Sequence, residues 1–308
     1  MIHRNSFFQD AAEFDYANMI AFLNSLPELN SAVKFEYLGT SILGKGIPII
    51  SIGEGLRSFL YVGAHHGMEW ITSLILCRFL EEFSCFYREH RSPYGLSLDA
   101  LTKICRLYIV PMLNPDGVEY QMHGIADDNP LYDRAFSMNG RSLDFSRWQA
   151  NARGVDLNHN YDAGFDEYKK LEIENGIDGG GPTRYSGEYP ESEPEVAALC
   201  KFIRFHDDIQ GIMTLHTQGE EIFFRSGGIT LPKSERVVKK MATLCGYTPS
   251  DAEGLASYGG LTDWCVRSMQ IPSFTLECGR GCNPLPASVY PSIYDCLRKL
   301  LFLFPTLF

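Results

Sequence analysis

Two short, uninterrupted runs of apolar residues limit the folds open to this chain more than any other feature. Residues 58–64 (SFLYVGA) and 106–112 (RLYIVPM) have the length of strands but lack the polar alternation of a strand with one solvated face. Such runs are typical of strands buried on both sides, as in sheets that helices cover on both faces. A helical pattern over residues 68–86 separates the two runs. The chain is therefore predicted to be an α/β protein.

The remaining predicted elements continue this alternation. Further strands are predicted over residues 32–39, 47–53, 209–216, 221–224 and 271–277. Further helices are predicted over residues 12–26, 97–105, 192–205, 234–244 and 287–304. A chain of 308 residues with 45% hydrophobic content can bury a large core. Because no linker, charge block or internal repeat interrupts it, we expect one α/β domain over residues 1–308.

Residues 118–190 are different, since they are rich in Gly, Asp, Asn and aromatic residues and show no sustained period. An irregular segment of this length usually builds a binding surface, so we expect it to contribute to an active site. The preceding sequence Asn114-Pro115-Asp116-Gly117 is predicted to be a turn. After the segment, Ser192 is expected to cap a helix, with Glu195 completing a capping box.

Composition excludes several classes of partner. The formal net charge of −11 disfavours binding to nucleic acid or an anionic membrane, because both require clustered Lys and Arg. No stretch approaches 18 apolar residues, and residues 1–26 contain no apolar region typical of a signal peptide. The nine cysteines are scattered and form no CxxC pair. We therefore expect a reducing, cytoplasmic location, while the oligomeric state stays open.

Polar residues follow four of the predicted strands directly. These residues are His66, Asn114, His216 and Glu277. Ligands of open α/β sheets bind beyond the carboxyl ends of the strands. The coincidence favours one shared active site at that edge of the sheet.

The sequence His66-Gly67-Met68-Glu69 suggests a metal site. Its imidazole and carboxylate are three residues apart where a strand passes into a helix, so both side chains can reach one ion. Catalytic zinc takes two His and one Glu and keeps a fourth position for water. His216 would supply the third ligand. His65 is also compatible with Glu69 by spacing, and the spacing alone does not decide between the two histidines.

Five motifs in a fixed order resemble the zinc carboxypeptidase family, and together they cover about residues 30–300. The motifs are Gly63-Ala64-His65-His66-Gly67-Met68-Glu69-Trp70, Asn114-Pro115-Asp116-Gly117, Val155-Asp156-Leu157-Asn158-His159-Asn160, Leu215-His216-Thr217 and Phe274-Thr275-Leu276-Glu277. The resemblance implies a twisted, mixed eight-stranded sheet with helices on both faces. It also implies one Zn²⁺ held by His66 rather than His65, with Glu69 and His216.

The same resemblance assigns two further roles. Glu277 would be the general base that takes a proton from the metal-activated water and passes it to the leaving amine. Asp156 would accept a hydrogen bond from the ring of His66, a contact that fixes the tautomer of a metal-bound histidine. The implied activity is that of a peptidase or amidase.

The chain departs from the family at three positions. Where family carboxypeptidases hold the substrate's terminal carboxylate with Asn-Arg, this chain has Asn158 and His159. Where they polarise the scissile carbonyl with an Arg after Trp, it has Gln149. Leu255 occupies the place of the mobile-loop Tyr, although Tyr258 lies in the same loop. Since His is at best a partly protonated single donor, these changes disfavour ordinary C-terminal trimming.

A subgroup of the family is more similar. Its signature strings are Trp148-Gln149-Ala150-Asn151, Gly154-Val155-Asp156-Leu157-Asn158, Leu215-His216-Thr217-Gln218-Gly219-Glu220-Glu221 and Glu277-Cys278-Gly279-Arg280-Gly281-Cys282-Asn283-Pro284-Leu285-Pro286. These resemble the bacterial γ-D-glutamyl-L-diamino-acid peptidases, which cleave the stem peptides of peptidoglycan. The candidates for binding a peptide or muropeptide substrate are Gln149, Arg153, Asn158, His159, Tyr258 and Arg280.

Two alternative functions remain. The first is an exo-acting metallocarboxypeptidase or small-molecule deacylase on the same scaffold. The second is an inactive zinc-binding protein that recognises peptide ends, which the presence of Glu277 disfavours because a binder needs no base beside its metal.

Overall fold

A single mixed sheet of eight strands runs through the computed structural model, which describes residue 8, residues 13–30 and residues 32–308. The strands are β1 Val33–Thr40, β2 Gly46–Ile52, β3 Arg57–Val62, β4 Cys105–Val110, β5 Ile209–His216, β6 Glu221–Phe223, β7 Thr248–Ser250 and β8 Ser273–Glu277. Their order is β1-β2-β4-β3-β5-β8-β6-β7. All seven predicted strands are present, and the short β7 is an addition.

The centre of the sheet is parallel. Strand β3 pairs in parallel with β4 and β5, and β5 pairs in parallel with β8. Antiparallel pairs flank this centre, with β1 and β2 on one side and β6 on the other. The four parallel strands therefore end at one edge, where the polar residues predicted from the sequence meet.

Helices cover both faces of the sheet. They are α1 Tyr16–Leu29, α2 Ile71–Arg88, α3 Leu98–Ile104, α4 Pro115–His123, α5 Tyr132–Met138, α6 Phe165–Glu174, α7 Pro194–Arg204, α8 Pro232–Cys245, α9 Leu261–Trp264 and α10 Tyr290–Leu303. Strand alternation produces the two layers. In β3, Phe59 and Tyr61 pack in a cluster with α1, α2, α8 and α10, whereas Leu60 and Val62 pack with α7 and α9. The α/β prediction is confirmed.

The predicted helix over residues 97–105 is present as α3, which ends at Ile104 because Cys105 begins β4. Other local predictions were wrong. Asn114 does not begin a simple turn but caps α4, since its Oδ1 accepts a hydrogen bond from the Gly117 amide at 2.9 Å. The segment predicted to be irregular over residues 118–190 contains most of α4 and all of α5 and α6. These helices are short and only partly buried, so their apolar periodicity is weak.

The predicted capping box before α7 is also absent. The N-cap residue is Glu193, and no side chain caps the first amides of the helix. Ser192 Oγ instead accepts from Asn160 Nδ2 and donates to Glu193 Oε1, both at 2.9 Å. The predicted first helix over residues 12–26 starts at Tyr16, and residue 12 lies outside the described residues. Within the described part of the chain, every helix is too short or too polar to span a membrane.

Candidate functional site

Three predicted donors converge at the carboxyl edge of the parallel strands. His66 Nδ1 lies 3.1 Å from Glu69 Oε1, and His216 Nδ1 lies 3.0 Å from Glu69 Oε2. The two Nδ1 atoms are 3.3 Å apart. All three side chains are buried. Donors that bind one zinc tetrahedrally at about 2.0–2.1 Å are separated by about 3.3 Å, so these spacings fit a single ion.

The chemistry of these donors also fits a cation. His66 Nε2 contacts Asp156 Oδ1 at 3.0 Å, so when the ring is neutral its proton lies on Nε2 and Nδ1 keeps a lone pair for a metal ion. Burial alone would lower the pKa of His66, but Glu69 and Asp156 outweigh it and hold that pKa well above 6.5. His66 and His216 hold the pKa of Glu69 at about 2 against the opposing effect of burial. The three donors therefore keep the Glu69 carboxylate ionised, and this anion favours a positive charge at the site.

A tight backbone contact holds the His66–Glu69 segment in place. The Gly67 amide donates to the Gln149 carbonyl at 2.9 Å, and a Cβ at Gly67 would lie only 2.3 Å from the Gly117 oxygen. Only glycine permits this approach without a backbone shift.

His65 points to other partners. Its Nε2 lies 3.0 Å from the Tyr161 hydroxyl, and its Nδ1 lies 3.3 Å from Thr214 Oγ1. Neighbouring residues at a strand end send their side chains in different directions, and here only His66 faces Glu69. Of the two histidines that spacing left open, the structure brings His66 into the three-donor group.

Asp156 organises the next layer of contacts. Its Oδ1 accepts from His66 Nε2 at 3.0 Å and from the Asn158 amide at 3.1 Å. Its Oδ2 accepts from Gln149 Nε2 at 2.8 Å and from the Arg184 amide at 3.2 Å. Burial opposes ionisation, but His66, His159 and these donors hold the pKa of Asp156 well below 3.8. Asp156 is therefore a fixed anion that orients His66.

Glu277 ends β8 beside the three donors, in register with His216 of β5. It is half-buried and lines a cleft of about 580 Å³ that also contains His66, Glu69 and His216. Burial and the nearby Glu69 charge raise the pKa of Glu277 to about 8. A carboxyl group tuned to this range can both accept and return a proton near neutral pH.

His159 lines the cleft but offers no positive charge there. Its Nδ1 lies 2.8 Å from the Tyr258 carbonyl oxygen, and its ring stacks on Tyr168 with centroids 3.9 Å apart. Burial lowers the pKa of His159 below 6.5, although Asp156 opposes this effect. The neutral ring uses its one N–H on Tyr258, so Nε2 is an acceptor and cannot donate to a carboxylate.

Two neutral residues complete this wall of the cleft. Asn158 lines it while its Oδ1 accepts from the Leu261 amide at 3.2 Å. Gln149 is fixed at both ends of its amide, since Oε1 accepts from Thr183 Oγ1 at 2.9 Å and Nε2 donates to Asp156. Gln149 therefore lacks both the charge and the freedom of movement of the arginine that polarises the scissile carbonyl in family carboxypeptidases.

The other sequence-predicted candidates lie off the lining of the cleft. Arg153 pairs with Glu193 at 3.1 Å, and exposed Arg280 pairs with Glu220 at 2.6 Å. The ring of Tyr258 packs near Gly164 and Arg267, and only its carbonyl contacts His159. Leu255, from the same loop, does line the cleft.

The structure adds lining residues that the sequence-based prediction missed. The charged and hydroxyl-bearing ones include Arg147, Arg184, Arg225, Glu253, Thr262 and Asp263. Burial raises the pKa of Asp263 to about 6. Arg147 lies directly before the Trp148-Gln149 motif, which is a signal that could have identified it. Arg184 has no such signal, because its place depends on a loop without a repeating pattern.

Comparison with known proteins agrees with this geometry. A family model described as zinc carboxypeptidase matches residues 19–293. The gamma-D-glutamyl-L-diamino acid endopeptidase 1 of Lysinibacillus sphaericus is 34% identical over 287 residues, which cover 92% of this chain and 69% of that protein. Carboxypeptidase B of Bos taurus is 27% identical over 260 residues, which cover 78% of this chain and 56% of that protein.

Solved structures share the fold. Carboxypeptidase A from Helicoverpa armigera superposes with a TM-score of 0.71 at 18% identity, covering 98% of this chain and 74% of its own. The murein-tripeptide amidase of Escherichia coli O157 superposes with a TM-score of 0.52 at 20% identity, covering 86% of this chain and 91% of its own. The family match spans most of the chain and includes the three-donor group. This chain therefore belongs to the zinc carboxypeptidase family of zinc-dependent peptide hydrolases.

Proposed function

We propose that this peptidase hydrolyses γ-D-glutamyl–diamino-acid bonds in the stem peptides of peptidoglycan. The observation that carries the proposal is the neutral His159 at the position where carboxypeptidases of the family hold a terminal carboxylate with Arg. Without a permanent, bidentate cation, that wall has little affinity for the C-terminus of an ordinary peptide. The 34% identical relative is named for the proposed activity.

In this proposal His66, Glu69 and His216 would hold the zinc ion, since Nδ1 of each histidine faces the Glu69 carboxylate. When bound, zinc polarises the scissile carbonyl and lowers the pKa of a water molecule to about 7. Asp156 keeps the proton of His66 on Nε2, so that Nδ1 stays available as a ligand. The same contact fixes the orientation of the ring.

Glu277 would carry the proton transfers. Its carboxylate accepts a proton from the attacking water and then donates it to the nitrogen of the leaving diamino acid. A positive charge bound at the three donors would lower the pKa of Glu277 from about 8 and so supply its ionised form at neutral pH. A protein that only binds peptide ends would not need a carboxyl group at this place.

Mass spectrometry of a muropeptide digest by the zinc-loaded protein tests the proposal. We expect products that end in D-glutamate and products that begin with the diamino acid. Glu277→Gln provides the matched control, since the amide keeps the shape of the side chain but cannot accept the proton. If C-terminal L-residues of blocked dipeptides are released faster than the γ-D-glutamyl bond is cleaved, the exo-acting carboxypeptidase is the correct function.

A further inference from the structure

The arginines around the cleft differ in whether a carboxylate neutralises them. Three are paired, namely Arg153 with Glu193, Arg225 with Glu235 and Asp251, and Arg280 with Glu220. Arg147 and Arg184 are exposed and line the cleft, and within the described residues neither forms an ion pair. The guanidinium groups of these two lining residues are thus left without a carboxylate partner.

Both groups belong to the part of the wall that contains Gln149. Arg147 precedes Gln149 by two residues. The Arg184 amide and Gln149 Nε2 donate to the same oxygen, Oδ2 of Asp156. Thr183, the neighbour of Arg184, donates to the other end of the Gln149 amide. This hydrogen-bonded group holds the backbone of Arg184 close to the metal-binding residues, while the guanidinium remains free to meet a ligand.

A different part of the wall is acidic. Glu253 and Asp263 line the cleft from the segment of residues 252–263, and the Gly260 amide donates to Asp263 at 3.2 Å. Asp263 also lines an adjoining cavity of about 250 Å³, whose lining includes neither Arg147 nor Arg184. The cleft therefore presents cationic and anionic regions, which suit a substrate with separated negative and positive charges.

A γ-linked glutamyl residue carries such a negative charge close to the scissile bond. Its α-carboxylate is separated from the scissile carbonyl by only three carbon atoms and stays free, whereas an α-linked residue without an acidic side chain has no carboxylate near the scissile bond. On the other side of the bond, the second amino group of the diamino acid supplies a positive charge, which in diaminopimelate lies beside a second carboxylate. Guanidinium is the side-chain group whose geometry best matches a carboxylate.

We propose that Arg184, assisted by Arg147, binds the free α-carboxylate of the D-glutamyl residue and so selects acyl residues that keep a free carboxylate three carbon atoms from the scissile carbonyl. This inference rests on the proposed function, which names the bond that is cleaved. It also orients the substrate, with the glutamyl residue beside Gln149 and the diamino acid toward Asp263. Neither arginine is assigned a part in the proton transfers.

Two matched substrates test this inference. One is γ-D-glutamyl-diaminopimelate with its glutamyl α-carboxylate free, and the other carries an α-carboxamide there. A charge-assisted contact should make kcat/KM for the carboxylate about 10- to 100-fold higher in the wild type. Arg184→Gln should reduce this ratio, and the double variant with Arg147→Gln should bring it to about one, with the loss falling on the carboxylate substrate.

Arg236→Gln is the matched control, because Arg236 is exposed on α8 and does not line the cleft. Its ratio should equal that of the wild type. Zinc content and circular dichroism show whether each variant is folded. The wild-type ratio tests the inference even if a variant does not fold, because its measurement involves no substitution. A wild-type ratio near one, or a ratio that survives in the double variant, overturns the inference while the proposed function stands. If the wild type cleaves neither substrate, the proposed function fails and this inference fails with it.

Discussion

Asp156→Asn tests whether a fixed anion behind His66 is required for zinc binding. The carboxylate is fully buried and accepts four hydrogen bonds, two at each oxygen. An asparagine keeps one oxygen and places an NH₂ group opposite the other two donors. Either His66 loses its acceptor, or Gln149 and the Arg184 amide face a group that cannot accept.

The size of the effect follows from these contacts. Hydrogen bonds to a charged group contribute about 1.5–3 kcal/mol each, and two are lost, so the free energy of unfolding should fall by about 3 kcal/mol or more. Loss of a contact that orients a metal ligand typically reduces metal affinity about 10- to 100-fold. Because the native pKa of Asp156 lies well below 3.8, this stabilisation is fully present at pH 7 and is lost as the pH falls below about 4.

Zinc affinity is measured by competition with a chromophoric chelator, and the free energy of unfolding by urea denaturation of the metal-free protein. Asp178→Asn is the control, since Asp178 is exposed and away from the cleft, and both quantities should stay near wild type. If Asp156→Asn binds zinc within threefold of the wild type, Asp156 does not position His66 and the reasoning is refuted.

Three further predictions concern the same centre. His66→Ala should lose the zinc measured by elemental analysis, whereas His65→Ala should keep it because both ring nitrogens of His65 contact other residues; the reverse pattern would exchange the two roles. Glu277→Gln should retain zinc but lose about 10²- to 10⁴-fold in kcat, and kcat within tenfold of wild type would exclude a general base at this position. Zinc binding at pH 7 should release about one to two protons, because His66 must lose one and the pKa of Glu277 falls from about 8 near a cation. Affinity should therefore weaken as the pH falls, and calorimetry in buffers of different ionisation enthalpy detects the protons; equal heats in all buffers would contradict the assignment.

The layered fold and the candidate metal ligands, except for the choice between His65 and His66, can be predicted from the amino-acid sequence alone. The runs in β3 and β4 are apolar at nearly every position, and only a strand covered on both faces has that environment. His66 and Glu69 are close in sequence, so their common direction follows from local geometry. His216 and Glu277 end parallel neighbouring strands, so their proximity follows from the sheet itself.

Which charged side chains reach the cleft depends on contacts that form only in the folded chain. Arg153 and Arg280 were predicted to contact substrate, but their partners Glu193 and Glu220 lie 40 and 60 residues away in the chain. Arg184, which no pattern identified, is brought to the cleft by the contact of its amide with Asp156. Whether an arginine is neutralised depends on residues distant in sequence, and local periodicity carries no information about them. An apolar strand, in contrast, shows its burial in its own composition.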